Sequence, residues 1–415
     1  MRFPFLLPGL LLLATPAHAG DAFKQDQSLK LNYEMECASD TNAFPGITAE
    51  LKLKDHAIRF QLFKYVTETE ISLGTDDSLD PKDLPITFLP SPNCTLNSWS
   101  AEINPVVTED LMERLALENS PYLVLRKDEY DIIDRDVPMG LTYSIVPRDE
   151  GGFTLLYTMF FSNETVHGLF STSKPASLGH YGRRTDIEWI YSIDFDQNGN
   201  SVARQYQGGV IDGKGHKTHD FKGEYLPGSR HPILYDIANH NVFKDKPTSK
   251  VQRKNETGYQ LMARETLEKP DAREIWMWRH PWTFKVSDLE LARDKKLSHT
   301  SDEYLYVLLD GTIDQGSIKV SATLDGETRS VPAGEGKNKL KELGEGLWDE
   351  QSFTAIWLGS GFTSRHGVVS MSPHSSKTSL HYPRFFHLIP SDDNGFDAEE
   401  ITTQFECQDA TVCRF

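Results

Sequence analysis

Asp186 and Glu188 stand two residues apart in the run TDIEWIYSIDF. In an extended strand, side chains at i and i+2 leave the same face, roughly 6–7 Å apart. Two carboxylates so placed can share one cation or one substrate. A hard divalent cation such as Ca2+ or Mg2+ wants several such oxygens. As a catalyst, Asp186 or Glu188 would serve as acid or base, and glycoside hydrolysis would need a second carboxyl at a defined distance. Glu164 ends the preceding apolar strand and is the third acidic candidate; His231 and His240 follow in the next loop and strand. Arg183 and Arg184 precede the pair. They could neutralise it in a structural salt bridge or hold an anionic substrate such as a uronate. Trp276, Trp278 and Trp282 alternate with other residues, as do His280 and Phe284. On a strand that spacing makes either a stacking platform for sugar rings or one wall of a core.

Other spacings carry less. Asp194, Asp196, Asn198 and Gly199 match the first half of a calcium loop, but position twelve is Gln205, where a bidentate Glu is wanted. Asn198-Gly199 reads instead as a tight hairpin turn. His366, His374, His381 and His387 follow no metal spacing. No Gly-x-Ser-x-Gly, His-Glu-x-x-His, phosphate loop or Cys-x-x-Cys occurs, which disfavours the classes that depend on them.

The elements that must position these residues are mostly strands. From Ile187 to Phe195 apolar residues fall at every second position, which predicts a strand with one buried face and with Asp186, Glu188 and Asp194 on the other. Phe153 to Phe161 is apolar on both parities, which predicts a central strand. Val202 to Gln207 returns from the hairpin, and Ile233 to Ala238 gives another strand. Thr108 to Glu118 reads as a helix capped by Thr108, and Thr257 to Leu267 as a second short helix. Five short strands follow residue 300 between Gly- and Asp-rich turns, the spacing of a β-sandwich. The expected fold is mainly β: a β-rich region over 20–119, a central β-sandwich over 120–243, a linker with helical and Trp-rich character over 244–299, and a C-terminal β-sandwich over 300–415.

Residues 1–19 read as a secretory signal. Arg2 leads an apolar run, and Ala17-His18-Ala19 is a small-x-small cleavage site. The run is too short to span a bilayer, so the reading is of a secreted or periplasmic chain without a transmembrane segment. The formal charge of −18, from 61 acidic and 43 basic residues, argues against nucleic acid and anionic lipid as partners. It suits cations, neutral glycans or proteins. Four cysteines, Cys37, Cys94, Cys407 and Cys413, allow three pairings in an oxidising compartment. The favoured one joins Cys37 to Cys94 and Cys407 to Cys413, stapling the N-terminal region and tying off the C-terminal end.

Residues 120–243 also resemble a superfamily. SPYLVLRKDEYDIIDRDV is similar to the opening of Vps62-like proteins, and YTMFFSNE to a strand found in both these and the necrosis- and ethylene-inducing toxins. GRRTDIEWIYSI resembles the toxins' glycine-led D-x-E strand, and HPILYDIANHNVF their later His-Pro strand. The resemblance implies a β-sandwich that offers Asp186 and Glu188 to a divalent cation, with Glu164 at the place of a third ligand. The toxins carry two histidines before the aspartate, where this chain has Arg183, Arg184 and Thr185. It therefore implies the fold rather than cytolytic activity. Two functional classes stay open. One is a secreted glycan-active or glycan-binding protein that meets polysaccharide or cell-surface glycan through an acidic site. The other is a non-enzymatic cell-surface or membrane-interacting exoprotein.

Overall fold

A computed structural model of the chain describes residues 27–38, 45–53, 57–74, 84–91, 93–105, 110–126, 137–163, 182–209, 216–227, 229–236, 242–244, 255–259, 265–267, 273–293, 297–313, 318–333, 351–373, 378–380, 383–393, 395–409 and 411–415. The stretch read as a signal, Glu164, Thr108, His240, His374 and His381 lie outside them.

In chain order the elements begin with β1 (Gln27–Cys37), β2 (Gly46–Lys52), β3 (Ala57–Phe63), β4 (Glu68–Gly74), β5 (Ile86–Phe88), β6 (Cys94–Pro105), α1 (Leu111–Glu118) and β7 (Tyr122–Arg126). The middle of the chain gives β8 (Pro138–Pro147), β9 (Phe153–Phe161), β10 (Asp186–Phe195), β11 (Ser201–Gly209), β12 (His216–Asp220), β13 (Ile233–Asp236), β14 (Val242–Phe243), β15 (Asn255–Tyr259) and β16 (Glu265–Leu267). Then come α2 (Arg273–Arg279), α3 (Trp282–Arg293), β17 (Tyr304–Ile313), β18 (Ile318–Leu324), β19 (Glu327–Ala333) and β20 (Gln351–Trp357). The last are β21 (Gly367–Pro373), β22 (Thr378–Leu380), β23 (Arg384–Ser391), β24 (Gly395–Glu400), β25 (Glu406–Asp409) and β26 (Val412–Arg414).

The fold is mainly β, and its strands form a stack of sheets. A three-stranded sheet (β4-β1-β6) covers one face of a seven-stranded sheet (β14-β13-β7-β15-β3-β2-β5). On β7 the parity shows why both faces must be covered: Tyr122 joins the core on that side, while Leu123 joins the core on the other. That other face packs on a six-stranded sheet (β12-β11-β10-β9-β8-β16). The six-stranded sheet in turn presents Phe160 and Ile187 to α2 and α3. Beyond the helices lie two C-terminal sheets, β20-β17-β23-β24 with β22 on β17, and β19-β18-β21-β26-β25. On β17, Tyr304, Tyr306 and Leu308 face the helices and Leu305, Val307 and Leu309 face the last sheet. Each such fully buried large side chain contributes ~1.5–3 kcal/mol.

β9 runs between β8 and β10, buried on both parities as its sequence predicts. The expected strands after residue 300 are present, and both expected disulfides form. Two local expectations are corrected, and the hairpin expected at Asn198-Gly199 is present. Residues 255–259 and 265–267 are strands rather than a helix, because β15 and β16 find partners in β7, β3 and β8. The first helix starts at Leu111 on Asp110, whose carboxylate accepts from the N–H groups of Met112 and Glu113 at 2.7 and 3.1 Å. The β10–β11 turn runs over Asp196–Asn200, with Gly199 at φ +79°. Asp196 accepts from the N–H groups of Asn198 and Asn200, both at 2.8 Å. These turn bonds, led by those from Asn200, hold its carboxyl below the usual range. The half calcium loop is thus a hairpin, and its second carboxylate, Asp196, is used by its own turn.

Among the described residues, no helix is long and apolar enough to cross a membrane.

Candidate functional site

β10 is not one uninterrupted alternation. Its register against β9 pairs Asp186, Ile187, Glu188 and Trp189 with Phe161, Phe160, Met159 and Thr158, then jumps to Tyr191 opposite Tyr157. Ile190 is the extra residue, a β-bulge. Such an insertion moves every later side chain to the other face. Ile187 therefore faces the helices with Phe160, whereas Tyr191, Ile193 and Phe195 join the core toward the seven-stranded sheet. Asp186 and Glu188 lie opposite Phe161 and Met159, which belong to that same core.

The expectation that Asp186, Glu188 and Asp194 share a solvent face is corrected by this bulge. The first two carboxylates do share a face, but it is the one turned toward the neighbouring sheet. They are 5% and 9% exposed. Asp194 is on the far face, where it accepts from Thr154 Oγ1 at 2.7 Å and lies 3.7 Å from Arg148. Burying a carboxylate demands hydrogen-bond partners. Gln207, on β11, supplies one: its Nε2 donates to Glu188 Oε2 at 2.6 Å. Asp236 on β13 is buried as well, two residues beyond Leu234, which faces the same inter-sheet core. Gln207 and Asp236 escaped sequence reasoning. Gln207 lay in a strand recognised only as a hairpin return, and no periodicity marks Asp236.

Both arginines are buried, each 8% exposed. Arg183 Nη1 donates to the carbonyl of Thr185, two residues on. Arg184 turns to the helices. Its Nη1 lies 3.0 Å from Asp288 Oδ1, and its Nη2 donates to the carbonyl of His299 at 2.6 Å. Asp288 also accepts from the N–H and Oγ of Ser301, at 2.6 and 2.7 Å. Burial raises the Asp288 carboxyl above its ordinary range, against the lowering pull of Arg184 and Ser301. The Arg184–Asp288 pair is a buried joint between the sheet and α3. Thr185 Oγ1 bonds Met277 Sδ on α2 at 2.8 Å, so the residues before β10 anchor the helices.

The tryptophan spacing is helical, not extended. Trp276 lies on α2, is 4% exposed, and stacks on Phe160 with centroids 4.1 Å apart. Trp278 packs against Phe386 and Tyr306 at 4.9 and 5.0 Å, and Trp282 against Phe63 at 4.8 Å. The sugar platform is corrected to a core: the three indoles fill the space between the helices and the sheets on either side. His231 is fully buried, with Nδ1 at 2.8 Å from the carbonyl of Ser120.

Among the described residues, no three His, Cys, Asp or Glu side chains come together as ligands for a metal ion. Asp186 and Glu188 supply two carboxylates toward the roughly six to eight oxygens that Ca2+ takes. Glu164, the third acidic ligand expected, lies outside the described residues.

The chain matches no protein-family model, and no curated protein is significantly similar to it.

Proposed function

We propose that the protein is an exported glycan-binding protein that does not hydrolyse its ligand. The single observation that carries this reading is the bulge at Ile190, which turns Asp186 and Glu188 away from solvent. A glycosidase places its two carboxyl groups on either side of a bound sugar. These two are neighbours on one strand, on the face turned toward the next sheet, and are 5% and 9% exposed. The glycan half of the reading is supported by the setting. A signal-like N-terminus and two disulfides suit an oxidising, extracytoplasmic compartment. The net charge of −18 favours a neutral partner over a polyanion.

The test is affinity electrophoresis in gels carrying neutral or acidic polysaccharides, together with an assay for new reducing ends. Retardation by at least one neutral polysaccharide is expected, with no reducing ends released. The D186N/E188Q double variant should be retarded equally. Reducing ends released by the native chain and lost in that variant would restore the catalytic reading. Free migration through every gel would overturn the glycan reading.

A further inference from the structure

The outer face of the last sheet carries a groove of about 650 Å³, a size within the range of roughly 300–1,000 Å³ found for small-ligand sites. Its base follows from the strand register. Thr323 on β18 pairs with Val368 on β21, Val368 with Arg414 on β26, and Arg414 with Glu406 on β25. Their neighbours Leu324, Val369 and Cys413 point into the core, so these four side chains form one outward row across the sheet. Gly367 closes one end of the floor. A Cβ there would stand 2.5 Å from Cζ of Phe415, so only glycine lets that ring lie against β21. Asp325, His366 and Gln404 rise around the row.

The chemistry of this lining is balanced. Asp325 is neutralised by Arg365, whose Nη1 donates to its Oδ2 at 2.7 Å. Glu406 and Arg414 sit on cross-strand partner positions, one charge opposite the other. Among the described residues, no hydrogen bond or ion pair engages either side chain. A guanidinium fork donates two parallel hydrogen bonds, a carboxylate accepts two, and an amide does one of each. Vicinal hydroxyl groups match that set. Val368 supplies an apolar spot beside them for the C–H face of a ring. A lining with no net charge fits neither a polyanion nor a cation.

We infer that this groove is a binding site for a short neutral oligosaccharide. The inference rests on the glycan-binding reading above and gives it a location far from β10.

Isothermal titration of the full chain with cellotriose, maltotriose and chitotriose tests it, with trigalacturonate as the anionic probe. At least one neutral trisaccharide should bind saturably. Arg414→Ala and Glu406→Gln should each weaken that binding about tenfold or more, the scale of one lost charge-assisted hydrogen bond. Both side chains are exposed, so thermal melting should confirm that the variants fold; Asp397→Asn on β24 is the surface control and should bind as the native chain does. Binding that survives both groove variants undiminished would overturn the site while leaving a glycan-binding protein. Binding of trigalacturonate alone would overturn the neutral class. No binding of any trisaccharide would overturn the groove as a saccharide site, and the glycan reading would then stand or fall on retardation by polysaccharide.

Discussion

His387 illustrates how one side chain can report on the packing around it. It lies on β23 with its ring edge-on to Phe362 at 4.9 Å and Nε2 3.2 Å from the carbonyl of Asp302. That contact requires the neutral tautomer to carry its proton on Nε2. Burial lowers its pKa below the ordinary histidine value, and the opposing pull of Asp302 and Glu399 does not cancel this. The unfolded chain therefore takes up the proton first as pH falls. Stability from neutral burial is intact above the unfolded value of about 6.5, declines as pH drops below it, and levels off once the folded histidine also titrates. Thermal melts of the native chain between pH 8 and 5 should show this decline. In His387→Gln the decline across that window should be shallower; an identical pH profile would remove His387 as its source. The Arg184–Asp288 pair works differently. It is satisfied at both ends, so it fixes where α3 sits on β10, and a buried pair of this kind adds specificity more readily than net stability.

At the scale of elements, the bulge and the helices explain where reading by periodicity succeeds and fails. Strand β9 was legible because both parities are apolar, and the C-terminal strands because Gly and Asp turns punctuate them. The bulge was not legible: Ile190 continues an apolar run, and nothing in its side chain marks the extra residue. The face assignment of Asp186 and Glu188 fell with it. The tryptophans misled for a related reason. Residues at alternate positions satisfy a strand, but in α2 the rings of Trp276 and Trp278 simply reach two different walls of one core. The groove escaped because its residues are scattered from 323 to 415 and only the register assembles them. Docking of α2 has a sharp test. Gly140 on β8 lies so close to Trp276 that a Cβ would stand 2.4 Å from Cζ2 of the indole. Gly140→Ala should cost ~1–3 kcal/mol by overpacking. Urea unfolding should show the loss, and Trp276→Leu in the same chain should reduce it. Gly140→Ala as stable as the native protein would mean that α2 does not pack there.

Over the whole molecule, stability rests on layers that share cores across long sequence distances. Phe63, Phe160, Trp276, Tyr306 and Phe386 come from sheets and helices far apart in the chain, yet meet in one cluster. The disulfides act at the two ends of this stack. Cys37 and Cys94 are cross-strand partners on β1 and β6, and Cys407 and Cys413 are partners on β25 and β26. Local geometry is thus alike, and the difference lies in the unfolded chain. The first bridge closes a separation of 57 residues and the second a separation of 6. In the chain-entropy account, a cross-link stabilises by the freedom that it denies the unfolded state, which grows with the logarithm of loop length. That predicts ~4 kcal/mol for Cys37–Cys94 and ~2 kcal/mol for Cys407–Cys413. Paired Cys→Ser variants of each bridge, unfolded in urea and followed by tryptophan fluorescence, should lose stability in that order. The reverse order would show that the short C-terminal bridge holds native packing around Phe405 and Phe415, not merely a small loop.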